Sequence, residues 1–262
     1  MKTTVNGDFP MLKILCVGNS FSEDATTYLS EIAKSAGQDV LIGNLVIGGC
    51  SLETHLNNLT SDAPQYLYFL NQGTGFVLHE NTVFTEAVKS ERWDVITLQQ
   101  ASHDSGKPET YEPLSPLLTE LQKLCPTARF YWHMTWAYQK DSNHWAFPRY
   151  YANSQSQMYE SILSAVKEKV LTEPRFTGII PNGTAVQNAR ETFGDNLTRD
   201  GFHLSFDLGR YLAALTFFTT LTGQALDKVT FLPEGVTEEQ AEIAKQCVEH
   251  AIKSPLQITK GN

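Results

Sequence analysis

The sequence predicts an α/β fold, and the main observation behind this prediction is the alternation of two patterns along the chain. Short apolar segments with the composition of buried strands are followed, several times, by segments with helical periodicity. Such alternation is typical of a mostly parallel sheet whose two faces are both covered by helices. We therefore predict a three-layer α/β/α sandwich that is flavodoxin-like and has about five parallel strands. The length of 262 residues fits one domain, residues 1–262, and we expect residues 1–10 to be flexible.

Five segments have the length and composition of buried strands. They are residues 12–17, 40–47, 94–98, 129–134 and 177–180. Residues 66–80 predict a small hairpin around Gly73 and Gly75, which we expect to be an insertion near the active face. Residues 132–151, rich in Trp, Tyr and His, predict a long loop after the fourth strand.

Helical patterns lie between these strands. The first helix is predicted to be capped by Ser22 or Asp24 and to continue to about Ala36, before Gly37. The other helical patterns cover residues 82–90, 114–124, 150–170, 205–222 and 237–253.

Composition and charge narrow the classes of partner. The net charge of −9 argues against nucleic acid or an anionic membrane surface, because both require a basic face. No apolar run approaches the roughly 20 residues that a membrane-spanning helix needs. The first residues lack the long apolar segment of a signal peptide, so we expect a cytoplasmic location, although a secreted form without its signal would have the same sequence. The sequence does not indicate an oligomeric state.

The four cysteines indicate neither a metal site nor a disulfide framework. They are widely spaced and form no Cys-x-x-Cys pair, and three of them lie in or beside apolar segments. No HExxH motif, HxH pair or acidic cluster is present in the sequence, so we expect neither a metal nor a cofactor.

Residues suited to chemistry follow several strands at the point where each strand ends. Ser20 follows the first strand, Gly49 the second and Gln99 the third. Asp200 and His203 lie shortly before a later helix. In a parallel sheet, ligands bind outside the carboxyl ends of the strands, so these residues are expected to converge. A hydroxyl, a backbone N–H, an amide and an Asp-x-x-His pair are the groups that acyl transfer requires.

Each of these residues also has a simpler interpretation when it is taken singly. Ser20 could cap a helix, and Gly49 with its neighbour Gly48 could permit a tight turn. Asp200 and His203 could be a solvated turn residue and a core histidine. The combination of all of them, in this order and at strand ends, favours catalysis.

The same residues resemble the sequence blocks of the SGNH (GDSL-like) hydrolase superfamily, whose four short blocks span the whole domain. Its Gly-Asp-Ser-Leu block resembles residues 18–21, which read Gly-Asn-Ser-Phe. Its second block, a glycine after the second strand, resembles Gly49, and its Asp-x-x-His block is matched in full by Asp200 and His203. The resemblance implies a serine hydrolase that acts on carboxylic ester bonds.

The third block departs from the pattern of the superfamily. The usual Gly-x-Asn-Asp corresponds to residues 98–102, Leu-Gln-Gln-Ala-Ser, which contain no Asn. Some carbohydrate-acetylesterase branches have a glutamine in this block, and a bacterial branch has a similar Leu-Gln-x-x-Ser pattern. The resemblance implies deacetylation of a carbohydrate, with Gln99 in place of the family's Asn. Gln100 is the alternative, because neighbouring residues of a strand face opposite sides.

The chemistry predicts a role for each residue. Serine is a weak nucleophile, so His203 is predicted to accept the Ser20 proton during attack on the ester. Asp200 is predicted to orient His203 and to stabilise its charged form. The Ser20 and Gly49 backbone N–H groups, together with the Gln99 amide, are predicted to hold the oxyanion.

Four further residues are candidates for lining the site. They are Asn19, His55, Gln100 and Trp136. A position on an exposed helix surface is the alternative for His55.

Aromatic and triad-like residues after the third and fourth strands give weaker signals. Trp132, Trp136, Tyr138 and Trp145 indicate either a sugar-stacking wall or core packing. Residues 103–105, His-Asp-Ser, have the residue types of a triad, but as sequence neighbours in a polar loop they are a weak candidate.

Three other functions compete with carbohydrate deacetylation. A short-chain carboxylesterase or lysophospholipase would need an apolar acyl pocket. A catalytically silent carbohydrate-binding protein would keep the same fold. A phosphate or flavin cradle could form at residues 18–20 and the following helix N-terminus, but it leaves Asp200 and His203 without a task.

Overall fold

The computed structural model describes residues 10–259 and contains a mixed sheet of seven strands. The strands are β1 (Leu12–Gly18), β2 (Val40–Val46), β3 (Tyr66–Asn71), β4 (Phe76–Thr82), β5 (Val95–Leu98), β6 (Arg129–His133) and β7 (Phe176–Ile180). Their order across the sheet is β4-β3-β2-β1-β5-β6-β7. The expectation about residues 1–10 concerns a segment that, apart from Pro10, lies outside the described residues.

Five of the strands, β1, β2, β5, β6 and β7, run parallel to one another. Numbered 1 to 5 along the chain, they have the spatial order 2-1-3-4-5, which is that of flavodoxin-like folds. The predicted α/β fold is therefore confirmed. Gly18 is aligned with Val46, and Val17 with Leu98, so the carboxyl ends of β1, β2 and β5 share one edge of the sheet.

The hairpin predicted around Gly73 and Gly75 is present as β3 and β4, but it lies elsewhere than predicted. β3 pairs antiparallel with β2, so the hairpin extends the sheet. β3 runs from Leu67, which is aligned with Val46 near the carboxyl end of β2, toward Asn71, which precedes the turn. The turn therefore lies near the amino-terminal ends of the parallel strands, away from the carboxyl ends that carry the candidate site.

Helices cover both faces of the sheet. Within residues 10–259 they are α1 (Ser20–Thr26), α2 (Leu29–Ser35), α3 (Leu52–Ser61), α4 (Phe84–Lys89), α5 (Leu114–Leu124), α6 (Ala146–Tyr151), α7 (Gln155–Ala165), α8 (Asn182–Phe193), α9 (Leu208–Thr222) and α10 (Glu238–Lys253). A π-helical turn, Val166–Val170, extends α7. In this part of the chain no helix has the combination of length and apolar character that crossing a bilayer requires.

Several predicted helices are confirmed with close bounds. α5 covers the predicted residues 114–124. α10 starts after Thr237, whose hydroxyl accepts the Gln240 N–H at 3.2 Å while the Gln240 side chain accepts the Thr237 N–H at 2.9 Å. This capping box satisfies two helix-end donors and fixes the start of α10. α9 ends, as predicted, at Gly223, whose φ of +69° is readily adopted by glycine.

The first predicted helix is present as two helices and starts earlier than predicted. Asn19, rather than Ser22 or Asp24, is the N-cap, because its Oδ1 accepts the Phe21 N–H at 3.0 Å. Ser22 and Asp24 lie inside α1, where their buried side chains bond to other elements. The chain leaves helical geometry after α1 and starts α2 at Leu29.

Other departures from the predicted helices have local causes. The single helix predicted over residues 150–170 is interrupted between α6 and α7, where Ala152 and Asn153 have φ values of 49° and 54°. α3 and α8 were not predicted. The buried side of α8 contains small and polar residues, so it shows little apolar periodicity. A Cβ at Gly183 of this helix would lie 2.4 Å from the Thr135 carbonyl oxygen, so only glycine permits this close approach.

The four cysteines belong to the buried part of the molecule. Cys16, Cys50, Cys125 and Cys247 are all free thiols and all buried. Burial raises the pKa of Cys16 and of Cys50 to about 12. These thiols therefore remain protonated and pack as small apolar side chains.

Candidate active site

Ser20 lies at the junction of β1 and α1. It is the first residue of α1 and follows the last residue of β1, Gly18, by two positions. A Cβ at Gly18 would lie 2.6 Å from Ser22 Oγ and 2.9 Å from Gln99 Oε1, so a larger residue would force this turn apart. The half-buried Ser20 side chain is thus held at the sheet edge where the carboxyl ends of the parallel strands meet.

Asp200 and His203 meet Ser20 at this edge. His203 Nε2 lies 2.9 Å from Ser20 Oγ, and His203 Nδ1 lies 2.6 Å from Asp200 Oδ2. Asp200 Oδ1 also accepts the backbone N–H groups of Phe202 at 3.2 Å and His203 at 2.8 Å. The three residues that the sequence places in a triad therefore form one hydrogen-bonded chain.

The charge state of Asp200 decides which atoms donate and which accept in these hydrogen bonds. Burial raises the pKa of Asp200, but hydrogen bonds from the His203 ring and from two backbone N–H groups outweigh that effect, so the net pKa is lower than usual. Asp200 is therefore ionised at neutral pH and accepts the proton on His203 Nδ1. The lone pair of Nε2 is then directed at the Ser20 hydroxyl, which donates to it.

The Asp200–His203 turn is held against α1 by a buried carboxylate, which we call the Asp24 clamp. Asp24 is 1% exposed and accepts from Arg199 Nη1 at 3.0 Å and from Arg210 Nη2 at 2.7 Å. It also accepts the Leu204 N–H at 2.9 Å. Arg199 and Leu204 flank the turn that carries Asp200 and His203, so the clamp links the candidate base, His203, directly to α1, the helix that starts at Ser20. This arrangement was not predicted, because a lone Asp in a helical pattern has no distinctive signal.

Trp136 packs against the same turn from the buried side. Its side chain is completely buried, which corrects the expectation that it lines the site. The indole stacks on Phe21 with ring centroids 4.3 Å apart and planes 4° apart, and its Nε1–H donates to the Phe202 carbonyl at 2.7 Å. Because Phe21 and Phe202 are the neighbours of Ser20 and His203, Trp136 fixes their backbones relative to each other.

The backbone donors expected at an oxyanion hole are available. Within residues 10–259, neither the Ser20 N–H nor the Gly49 N–H has a hydrogen-bond partner. Gly49 is exposed, has a φ of +64° and has open space around its Cα. Asn19 Nδ2 donates to the Cys50 carbonyl at 3.2 Å, which ties the glycine turn to the turn of the nucleophile. Asn19 is thus a buried brace rather than a lining residue.

The two glutamines after β5 have different surroundings. Gln100 Nε2 uses both hydrogens on the Thr110 carbonyl and hydroxyl, at 2.9 and 3.1 Å, and its Oε1 accepts the Leu52 N–H at 3.0 Å. Gln100 therefore supports the start of α3 and does not line the site. Gln99 Nε2 donates one hydrogen to Asn19 Oδ1 at 2.8 Å, and within the described chain its second hydrogen has no partner. The contribution of Gln99 to an oxyanion hole stays a prediction.

A chain of buried amides and one imidazole continues from Gln99 beneath the site. Burial lowers the pKa of His133 to about 3, so the ring is neutral. Its Nδ1–H donates to Gln99 Oε1 at 2.8 Å, and its Nε2 accepts from Asn182 Nδ2 at 2.9 Å. His133 and Asn182 were not predicted as site residues, although both lie at the carboxyl ends of strands, β6 and β7. Applying the strand-end rule to all five parallel strands would have identified them.

The family of this chain follows from two comparisons. A family model described as "Domain of unknown function (DUF4886)" matches residues 13–251. A crystal structure of a DUF4886 family protein from Bacteroides uniformis has 37% sequence identity and a TM-score of 0.91, and the match covers 95% of this chain and 98% of that one. The chain belongs to the DUF4886 family.

More distant structures show that the DUF4886 chain has the fold of SGNH hydrolases. A proposed SGNH hydrolase from Slackia heliotrinireducens has 22% identity and a TM-score of 0.52 over 80% of this chain and 99% of that one. A lipase/acylhydrolase from Enterococcus faecalis has 15% identity and a TM-score of 0.53 over 81% and 96% of the two chains. A search of curated proteins found no match. The resemblance to the SGNH superfamily is thus confirmed for the fold, whereas the branch with a Leu-Gln-x-x-Ser third block stays a prediction.

Two other histidine candidates of the DUF4886 chain do not belong to the hydrogen-bonded arrangement of Ser20, His203 and Asp200. His55 is neither a lining residue nor exposed: it is fully buried, and its Nδ1 lies 2.9 Å from Tyr66 Oη. Burial lowers its pKa to about 3, so it is a neutral core histidine. His103 Nε2 lies 3.5 Å from Asp104 Oδ2, but the buried Ser105 hydroxyl donates to the Ser102 carbonyl. Residues 103–105 therefore form no triad.

The aromatic residues after β6 divide into core and surface. Trp132, Trp136 and Tyr138 are at most 2% exposed, so the interpretation as core residues is correct for these three. Trp145 is 54% exposed. A sugar-stacking wall of four residues is therefore excluded, and only Trp145 remains available to a ligand.

Among residues 10–259, no three His, Cys, Asp or Glu side chains converge in a way that could hold a metal ion.

Proposed function

We propose that this protein is a serine esterase that hydrolyses small O-acyl esters and that its task is the deacetylation of a carbohydrate. The observation that carries the proposal is the hydrogen-bonded chain from Ser20 Oγ through His203 to Asp200, with distances of 2.9 and 2.6 Å. Nucleophile, base and orienting carboxylate are in hydrogen-bond reach of one another, as nucleophilic catalysis requires. The fold, shared with a protein named lipase/acylhydrolase, supports the same class of reaction.

The proposed reaction has two halves. Ser20 Oγ attacks the ester carbonyl carbon while His203 Nε2 takes the hydroxyl proton. The Ser20 and Gly49 N–H groups and the Gln99 amide stabilise the tetrahedral oxyanion. The intermediate collapses when the C–O bond to the alcohol breaks, and His203 gives its proton to the leaving oxygen. Water then attacks the acyl-Ser20 ester with His203 again as base, which releases the acid and restores the hydroxyl.

The exposure of the triad supports small acyl groups. The Asp200 side chain is 41% exposed and that of His203 is 21% exposed, so the triad lies at an open surface rather than in an enclosed apolar tunnel. A long acyl chain would gain little from burial at such a site. We expect acetyl esters to have a higher kcat/KM than octanoyl esters. A preference for eight or more carbons in an acyl-length series would instead favour a lipid esterase.

Covalent labelling tests the nucleophile directly. A fluorophosphonate should modify Ser20, as read by mass spectrometry of peptides, and Ser20→Ala should abolish both labelling and ester turnover. Its free energy of unfolding should stay within about 1 kcal/mol of the wild type, because the side chain is only half-buried. Ser61→Ala, at an exposed serine at the end of α3, is the matched control and should retain full activity. A label on another residue, or on none, would exclude the triad, and sugar binding without turnover would indicate a silent carbohydrate-binding protein.

A further inference from the structure

A line of exposed and half-buried rings leads away from His203 across the surface. The Phe202 ring lies 4.3 Å from that of His203, the His144 ring 4.9 Å from Phe202, and the Trp145 ring 5.7 Å from His144, all between centroids. His103 flanks Trp145 at 5.5 Å. We call Phe202, His144, Trp145 and His103 the aromatic strip.

Trp145 is the unusual member of the strip. It is 54% exposed, whereas the other tryptophans, Trp93, Trp132 and Trp136, are at most 2% exposed. Trp145 lies just before α6, and its side chain makes no capping hydrogen bond there. The ring thus leaves a large flat apolar surface in solvent, which core packing does not require.

Polar groups border this surface. Within the described residues, His103 Nδ1 has no hydrogen-bond partner. The other ring nitrogen, His103 Nε2, lies 3.5 Å from the Asp104 carboxylate. The Arg149 guanidinium lies 6.0 Å from the centre of the Trp145 ring. An exposed indole with a free imidazole nitrogen beside it and a guanidinium over one part of the ring suits a ligand ring that has both a C–H face and hydroxyl groups.

The position of the strip relative to Ser20 decides which part of an ester it would meet. The leaving oxygen must receive its proton from His203, so the alcohol part of the substrate lies on the side of His203. The strip begins at Phe202, the neighbour of His203, and its members His144 and Trp145 lie on the loop after β6. Gly49, the expected oxyanion donor, follows β2, which is on the other side of β1 in the sheet.

We propose that the aromatic strip is the subsite for the alcohol part of the substrate, with the ring of an acetylated sugar stacked on Trp145 and a hydroxyl bonded to His103. This inference rests on the proposed esterase function. An aryl alcohol shares the flat apolar face but has no ring hydroxyls, so a comparison of sugar and aryl esters separates the two.

Kinetics with three acetate esters tests the subsite. An acetylated methyl xyloside carries a sugar, phenyl acetate carries an aryl ring, and vinyl acetate carries no ring. Trp145→Ala should raise KM for the acetylated xyloside about tenfold with kcat little changed, because stacking acts on binding. Vinyl acetate should be hydrolysed at the wild-type rate. Trp145→Phe should restore most of the loss, and Leu171→Ala, at an apolar residue that is 56% exposed beyond α7, should change nothing.

His103 provides the second arm of the test. His103→Ala should raise KM for the xyloside several-fold and leave phenyl acetate unaffected, since only the sugar offers hydroxyl groups. Equal losses for all three esters in Trp145→Ala, or no loss for the xyloside, would overturn the subsite. A loss confined to phenyl acetate would assign the strip to aryl alcohols instead and would also overturn the proposal.

Failure of the esterase function is distinguishable from failure of the subsite. If the wild type hydrolyses none of the three esters, the proposed function is wrong. Calorimetric titration of the Ser20→Ala protein with the acetylated xyloside then decides the subsite separately. Binding that weakens about tenfold on adding Trp145→Ala supports the strip, and binding that is absent or independent of Trp145 overturns it.

Discussion

At the scale of single residues, Gln99 and Gln100 show how two neighbours of one type acquire different tasks. Both are 1% exposed. The Gln100 amide bonds to Thr110, to the Leu52 N–H at the start of α3 and to the neighbouring Ala101 N–H. Gln99 instead joins Asn19, the N-cap of α1, to His133. The difference arises from the alternation of side chains at the end of β5, which sends the two amides in opposite directions.

This contrast gives a matched pair of variants. Gln99→Ala should lower kcat by about 10²–10³ with KM little changed, because an oxyanion donor acts mainly in the transition state. Gln100→Ala removes an amide of the same size and burial, and its kcat should stay within about tenfold of the wild type. Both variants should lose roughly 1–3 kcal/mol of stability, since each leaves buried partners unpaired. Equal, mild losses of kcat would mean that backbone N–H groups alone hold the oxyanion.

At the scale of elements, the site depends on the contact between α1 and the turn before α9. The turn is closed by a β-bridge between Thr198 and Leu204, and Arg199 N–H donates to the His203 carbonyl at 2.9 Å. Arg199 also donates to the Leu204 carbonyl. The Asp24 clamp then attaches this closed turn to α1, so the position of His203 relative to Ser20 depends on these contacts.

Asp24→Asn tests this coupling. The variant leaves two arginines without their carboxylate, and removing one partner of a buried ion pair costs about 3–5 kcal/mol. Because Arg199 and Arg210 are 26% and 17% exposed, we expect the lower part of that range. The rate of fluorophosphonate labelling of Ser20 should fall about tenfold at a temperature where the variant is folded, and kcat should fall more than KM changes. Asp227→Asn, at an exposed carboxylate, is the control. Unchanged labelling in a destabilised protein would make Asp24 purely structural.

At the scale of the whole molecule, two buried histidines make the fold sensitive to acid. Burial lowers the pKa of His55 and of His133 to about 3, against roughly 6.5 in the unfolded chain. Between these values the unfolded chain binds a proton at each site that the folded chain does not bind. The free energy of unfolding is therefore highest above pH 6.5 and decreases as the pH falls toward 3, by up to about 1.4 kcal/mol per pH unit for each histidine.

Urea unfolding at pH 7, 6 and 5 measures this slope. His55→Gln removes one of the two ionisable rings and keeps a polar group near Tyr66 Oη. Its free energy of unfolding should fall less steeply with decreasing pH than that of the wild type. The difference in slope should approach the roughly 1.4 kcal/mol per pH unit that uptake of one proton on unfolding gives. The same slope in both proteins would show that His55 takes up no proton on unfolding in this range.

The sequence by itself determined the parallel sheet and the three residues of the candidate triad. Buried strands have a short apolar pattern, and parallel strands bring their carboxyl ends to one edge, so Ser20 and its partners could be found from residue type and position alone. α5 and α10 were likewise predictable, because the apolar periodicity of both helices and the capping box of α10 are local signals.

Only the tertiary structure decided what surrounds the candidate triad. The bonds from Asp24 to Arg210 and from Gln99 to His133 join residues 186 and 34 positions apart, and no local pattern records such pairings. Burial decided the other cases: Trp136 and His55 have the residue types of a ligand site, yet packing places both in the core, while Trp145 remains in solvent. Local sequence specifies backbone geometry and apolar period, whereas the partner of a buried polar group depends on which distant elements the fold brings together.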